Sequence, residues 1–324
     1  MSAGVAIIGA GIAGVSLARL LLTRLPQLDV TLFEKSRGVG GRMATRYTDG
    51  CEFDHGAQFF TVRTTAFESF LEPYQACFQT WEPGVTTLSP VGKPYGRIWF
   101  EPHYVGVPRM NSLCRGIMSA PDPLNVRTQQ QVQGLSGSPG EWFLEIEGES
   151  VGPFDWVVST APAPQTAALL GMDLSRVVYA PAFALMVPMD QAQLPLSRAA
   201  VIKDSLLEWV AAGSTRPGRG SQASLVAHAG GRWSQAHLDV PADQVRDEMI
   251  RELEHLGLSG CSRDAAVLHR WRYARVLEPL DEPCLIDSEQ RIAGAGDWCI
   301  GARVEDAFSS ALQLSQQLIP RLNC

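Results

Sequence analysis

Apolar positions follow two rhythms along the chain. The run VAIIG (Val5–Gly9) is short, β-branched and unbroken, as a strand buried on both faces requires. The next segment, GIAGVSLARLLLTRL, spaces its apolar residues for a helix, and VTLFEK (Val30–Lys35) returns to the strand pattern. Strand, glycine turn, helix and strand in that order predict a parallel βαβ unit. FDWVVST (Phe154–Thr160) predicts a further strand, and RIAGAGDWCIGARVEDAFSSALQLSQQL predicts a strand, a glycine turn and a helix from Arg303 or Val304. PLNVRTQQQVQGL and EWFLEIEGES read as strands of a small meander, and PADQVRDEMIRELEHLGL as an amphipathic helix. GSTRPGRGSQ (Gly213–Gln222) has the composition of a mobile surface loop.

Composition narrows the partners. At 324 residues with 45% hydrophobic and 19% charged content, the chain has the length and apolar content of about two globular domains. A net charge of -7 argues against a general nucleic-acid surface. No apolar run approaches the roughly 18 residues of a spanning helix, so a soluble protein with no membrane partner is expected. The seven cysteines form no CxxC pair and no Cys/His spacing that a metal would need. That set reads as reduced thiols in the cytoplasm. Only three of the 27 basic residues are lysines, at positions 35, 93 and 203, which limits where a catalytic lysine could sit.

The chemistry starts at Gly9-x-Gly11-x-x-Gly14 on the first strand-to-helix turn. The first glycine permits the turn, the second lets backbone approach a pyrophosphate, and the third lets helix and strand close up. The helix start, Ile12 and Ala13, then offers unpaired N–H groups to phosphate. Glu34, 20 residues beyond Gly14, ends the second strand with Lys35 beside it; its carboxylate suits the hydroxyls of an adenosine ribose. A second glycine cluster follows at once in RGVGGRM (Arg37–Met43). Its Gly40 and Gly41 allow tight backbone approach, and Arg42 offers charge-assisted contact to phosphate oxygens.

An acid followed by R-x-G-G-R resembles the signature of the flavin-containing amine oxidase superfamily. The resemblance implies FAD, held without a covalent bond, and a discontinuous Rossmann-like domain. It gives Gly296-Asp297 the role of meeting the ribityl or pyrophosphate region, with Arg303 and Val304 opening a helix aimed at the flavin. It also places Thr160-Ala161-Pro162 and Val132 near the dinucleotide, although ordinary strand and turn roles serve these residues equally. Cys299 does not match the position at which some amine oxidases attach flavin.

FDHGAQFFTVR (Phe53–Arg63), HYVGVPRMNSL, HAGGRWS, HRWRYA and GDWCIGARVEDA together resemble bacterial renalase along nearly the whole chain. That family implies oxidation of dihydro-NAD(P) isomers to NAD(P)+, with molecular oxygen reduced to hydrogen peroxide. Its partners are thus a small dinucleotide and oxygen. Oxidation of an amine is the alternative, and a non-catalytic flavin-binding protein a third reading. The resemblance sets Gly56, Ala57 and Gln58 against the isoalloxazine. It makes Phe59, Phe60, Thr61, Arg63, Trp99, His228 and Trp271 the candidate substrate pocket, with Tyr273 a further candidate; each could equally pack a core or lie at the surface. No general base is assigned, because hydride leaves a dihydronicotinamide directly. The expected fold is α/β: a Rossmann-like FAD-binding domain from 1–57, 104–170 and 284–324, and an α+β substrate domain on an antiparallel sheet from 58–103 and 171–283.

Overall fold

The computed structural model describes residues 4–48, 50–82, 84–189, 199–219 and 223–322. The predicted βαβ unit is present as strand Gly4–Ile8, helix Ile12–Arg24 and strand Asp29–Glu34, the strands parallel and starting one residue earlier than the pattern suggested. They lie inside a six-stranded sheet. Its order is Leu285–Asp287, Ile292–Gly294, Trp156–Ser159, Gly4–Ile8, Asp29–Glu34, Asn125–Thr128. All neighbours are parallel except the first pair. The interior strands are largely apolar because both faces are covered, with Thr31, Glu34 and Ser159 the buried polar exceptions.

One face carries helix Ile12–Arg24 packed beside the final helix, Val304–Leu322. Leu17 and Leu21 of the first meet Phe308, Ala311, Leu314 and Leu318 of the second in one fully or nearly fully buried core. The other face is covered by a three-stranded antiparallel meander, Val132–Ser138, Glu141–Ile146 and Glu149–Phe154. The meander was expected to begin with the strand around Val126. That strand instead joins the edge of the parallel sheet, where Thr31–Glu34 supplies free backbone groups.

The second sheet has seven strands, in the order Val267–Glu278, Val178–Pro188, Ser224–Ala229, Leu207–Ala212, Ala199–Ile202, Thr86–Leu88, Tyr95–Gly96. Its neighbours are antiparallel except for Ala199–Ile202 with Thr86–Leu88. Alternation sorts its side chains. Phe183, Leu185, Val210, Leu225 and Ala227 point to the face covered by helix Ala242–His255. Val245, Met249, Ile250 and Leu253 are the helix residues that close this core, each fully buried and each contributing roughly 2 kcal/mol of apolar transfer. Met186 and Val226 point the other way, onto Phe53 of the hairpin Thr45–Thr48 and Cys51–Asp54. That hairpin and the turn after it bring the two sheets together.

The expected α/β class is therefore observed, with a Rossmann-like sheet and a second, largely antiparallel one.

Candidate functional site

The carboxyl ends of the parallel strands collect the motifs, where open α/β sheets bind their ligands. Gly9 has φ +105°, a conformation that disfavours a side chain. A Cβ on Gly14 would stand 2.0 Å from the Gly9 carbonyl oxygen, so this glycine is what allows helix and strand to close. Gly11 caps the helix with no side-chain bond, no acid sits in the first turn, and a Cβ there would meet only the Gly41 Cα at 4.0 Å. Space and unpaired N–H groups thus coincide at Gly11, Ile12 and Ala13.

The second glycine cluster lies on the first. Gly40 N–H donates to the Ala10 carbonyl at 2.8 Å, Gly11 and Gly40 form a parallel bridge, and Gly40 and Gly41 both have positive φ. Glu34 is buried and already accepts from Ala10 N–H at 2.9 Å and Ser36 N–H at 2.8 Å. Two lone-pair positions per oxygen leave room for ribose hydroxyls. Lys35 beside it is exposed. Val132 is buried among Leu144, Ile146 and Phe33 at the start of the meander. Thr160 passes beneath the first turn, donating to the carbonyls of Ile8 and Gly9 at 3.0 and 3.1 Å.

Arg42 and Asp297, 255 residues apart, form a bidentate pair with both oxygens at 2.6 Å. Burial works against the charge of Arg42, but Asp297 outweighs it and the pKa is raised. The expectation gave each of them to the dinucleotide; the structure joins them across the groove in which it would lie. Asp297 is 3% exposed and Gly296 is extended. The final helix opens at Val304, half-buried, as predicted; Arg303 is exposed and its N–H donates to Asp306 at 2.9 Å.

The turn His55–Gln58 is tied on every side. Ala57 N–H donates to the Arg42 carbonyl at 2.8 Å, and a Cβ on Gly56 would strike that oxygen at 2.0 Å. The His55 carbonyl accepts from Trp271 Nε1 at 2.9 Å and from His228 Nε2 at 3.1 Å. A carbonyl only accepts, so Nε2 of His228 carries the proton. Burial pushes His228 and His55 down to about 4, and His269 is lowered by the same cause. His55 stands edge-on to His269 at 4.8 Å and stacks on Trp271 at 5.1 Å.

Register explains the grouping. Trp209 pairs with His228, His228 with Ala184, and Ala184 with His269, so these residues form one row on the sheet face turned to His55–Gln58. Ala182 lies opposite Trp271.

A second aromatic group begins at Phe59. It contacts His103 at 4.3 Å, Trp99 at 5.3 Å and Trp209 at 6.0 Å, while Trp99 stacks on His103 at 3.7 Å and Trp81 closes the back. His103 has a lowered pKa, with burial the first cause, and shares its Nδ1 with the Glu101 carbonyl at 2.9 Å.

The candidate pocket is thus divided. Phe59 and Trp99 belong to this aromatic group, and His228 and Trp271 to the histidine row. Phe60, 3% exposed, is a core residue packed on Phe67, Phe78 and Tyr104, and Thr61 is buried beside it. Arg63 is on the surface, paired with Glu101. Tyr273 packs on Tyr179 at 5.3 Å, on the Arg42–Asp297 side.

Sequence reading missed the charges beneath the turn. Asp54, 2% exposed, accepts from Thr45 Oγ1 at 2.6 Å, Met110 N–H at 3.1 Å and Arg219 at 2.5 Å. Glu52 is held by Arg109 and Arg219. Arg216 is 5% exposed and reaches Gln58. The segment read as a mobile surface loop is therefore anchored through Arg219, because two arginines drive into buried acceptors; residues 220–222 lie outside the described residues. No spacing in GSTRPGRG announces this; only the carboxylates in EFD hint that cations must follow.

Among the described residues no cluster of His, Cys, Asp or Glu could hold a metal ion. The groove instead fits FAD: an uncapped helix start with open space at Gly11, a stacked second glycine turn, and a buried acid at the ribose end. Cys299 is fully buried, with its thiol pushed up to about 12 by burial, so it stays protonated and is not poised to attach a flavin.

Known proteins agree with this architecture. The NAD(P)-binding Rossmann-like domain family matches residues 7–73. Coproporphyrinogen III oxidase of Staphylococcus aureus (strain NCTC 8325 / PS 47) is 42% identical over 65 residues, 20% of this chain and 14% of its own length. A protein of Exiguobacterium sp. 255-15 assigned as a protoporphyrinogen oxidase superposes with a TM-score of 0.80 over 99% of both chains at 14% identity. Putrescine oxidase with putrescine bound superposes with a TM-score of 0.74 over 99% of this chain and 100% of its own, at 12% identity. The chain carries a Rossmann-like dinucleotide-binding segment, and its fold is shared with putrescine oxidase and the Exiguobacterium protein.

Proposed function

We propose that the protein is an FAD-dependent oxidase of dihydro-NAD(P) isomers. Bound FAD would accept the hydride and pass the electron pair to oxygen, so that dihydro-NAD(P), O2 and H+ yield NAD(P)+ and H2O2. Gly9, Gly11, Ile12, Ala13 and Gly14 hold the pyrophosphate in this reading, Glu34 the ribose, and Gly41, Arg42 and Asp297 the far side of the groove. Gly56 and Ala57 present backbone to the flavin. Phe59, Trp99, His228 and Trp271 supply flat or neutral walls against which a dihydronicotinamide ring stacks. We assign the cofactor domain to 1–57, 104–170 and 284–324 and the substrate domain to 58–103 and 171–283, with the flavin at their junction.

The observation that favours this over amine oxidation is where the lysines lie. Amine oxidases of the superfamily keep one beside the flavin; here Lys35, Lys93 and Lys203 are all exposed, and Lys203 contacts Tyr95 at the edge of the second sheet. Burial holds His228 and His55 down to about 4, which makes them weak bases and fits a substrate that releases hydride without needing one. Oxygen-electrode assays test the reading. Dihydro-NAD(P) isomers should drive oxygen uptake and yield NAD(P)+ and peroxide in equal amounts, whereas primary amines should drive none. Uptake with amines alone would replace this reading by amine oxidation.

A further inference from the structure

Gln58 follows the Gly56–Ala57 turn, yet its amide has no capacity left for a ligand. Its Nε2 donates to the carbonyls of Asp54 at 2.6 Å and Gly56 at 3.1 Å. Its Oε1 accepts from Trp209 Nε1 at 3.2 Å and from Arg216 Nη2 at 2.7 Å. Arg216 Nη1 also donates to the Gln58 main-chain carbonyl at 2.8 Å. One guanidinium therefore grips this residue at two points.

Neutralising Asp54 does not require that guanidinium. Arg219 stands 2.5 Å from the carboxylate and Arg216 3.7 Å. A cation buried to 4% side-chain exposure, with its short bonds directed at one neutral residue, carries a desolvation cost that charge pairing does not explain. Its return is geometry. The planar fork fixes Gln58, and Gln58 fixes the carbonyl of Gly56 two residues back.

We propose that Arg216 is a positioning residue that sets the backbone of the Gly56–Ala57 turn through Gln58, an inference that rests on the FAD reading above. Burial brings its pKa down to about 10, so it stays charged at neutral pH.

The test compares the wild type with Arg216→Met, Arg216→Lys and Gln58→Glu. FAD affinity is measured by titrating apoprotein, bound-flavin geometry by visible circular dichroism, and reduction by anaerobic stopped flow with dihydro-NAD(P) isomers. For Arg216→Met we expect a lower Tm, because the buried Gln58 carbonyl loses its donor and Asp54 its second cation. The flavin dichroism should change, FAD should bind about 5–10-fold more weakly, and reduction should slow about 10-fold with substrate affinity within about 2-fold. Arg216→Lys keeps the charge without the fork and should resemble the methionine variant. Full recovery by lysine would assign the effect to charge and overturn the inference.

Should Arg216→Met fail to fold, Gln58→Glu decides. Its carboxylate keeps the Arg216 and Trp209 bonds but cannot donate to the two carbonyls, so the same flavin changes are expected. Unaltered dichroism and reduction in the folded variants would overturn the inference. Wild-type protein that binds no FAD would instead overturn the cofactor reading, and this inference with it.

Discussion

Phe59 and Phe60 are neighbours in sequence and opposites in place: one lines an aromatic group at the turn, the other fills the core with Phe67 and Tyr104. Their peptide sits in extended backbone bridged to Tyr104, so successive side chains point to opposite sides. The two loop glycines differ in a comparable way. Gly14→Ala would force a Cβ onto the Gly9 carbonyl, so Tm should fall by an amount corresponding to about 1–3 kcal/mol, together with loss of FAD. Gly11→Ala meets open space and should leave Tm unchanged while weakening FAD about 10-fold or more by blocking the approach of the pyrophosphate. Calorimetry and FAD titration of the two variants separate these effects. Glycines were the most legible residues in the sequence because their spacing encodes a local turn. Arg63 was less so: its partner Glu101 lies 38 positions away, and no local pattern marks the pair.

At the scale of elements, the row Trp209, His228, Ala184, His269 exists only through strand register, which the sequence does not display. An antiparallel sheet was expected in this part of the chain, but which of its aromatics face the turn could not be read. His228 and His55 are neutral in the folded protein, with pKa values of about 4 against 6.5 for free histidine. Between those values the unfolded chain binds more protons than the folded one, so stability falls as pH drops from about 6.5 to 4 and then levels off for these groups. Urea titrations across that range should show the slope, and His228→Gln, which keeps a donor for the His55 carbonyl, should reduce it to the share of His55. The anchored segment behaves as an element too. Arg219→Ala leaves Glu52 and the buried Asp54 without their shared cation, and should cost about 3–5 kcal/mol in urea unfolding.

The whole molecule ties its ends together. The first and last helices pack side by side, and Arg42 meets Asp297 across the groove, so the site is complete only when the long excursion through the second sheet has returned. The sequence announced that return through Gly296-Asp297 and a helix at Val304, and the structure has both. It did not announce that buried arginines would lock the excursion onto the turn. A ligand that bridges such distant segments stabilises the folded state by mass action. FAD at about 100 times its Kd should add about 2.7 kcal/mol, read as an upward shift in Tm.

Under the proposed function this groove holds FAD and dihydro-NAD(P) isomers reduce it. An anaerobic visible spectrum of the FAD-loaded protein, mixed in turn with isomer-containing dihydro-NAD(P), ordinary β-NADH and a simple amine, tests both parts at once. Rapid bleaching of the flavin band by the isomers, and its return with peroxide when air is admitted, is the predicted result. Bleaching by the amine alone, or by none of the three, would contradict the account.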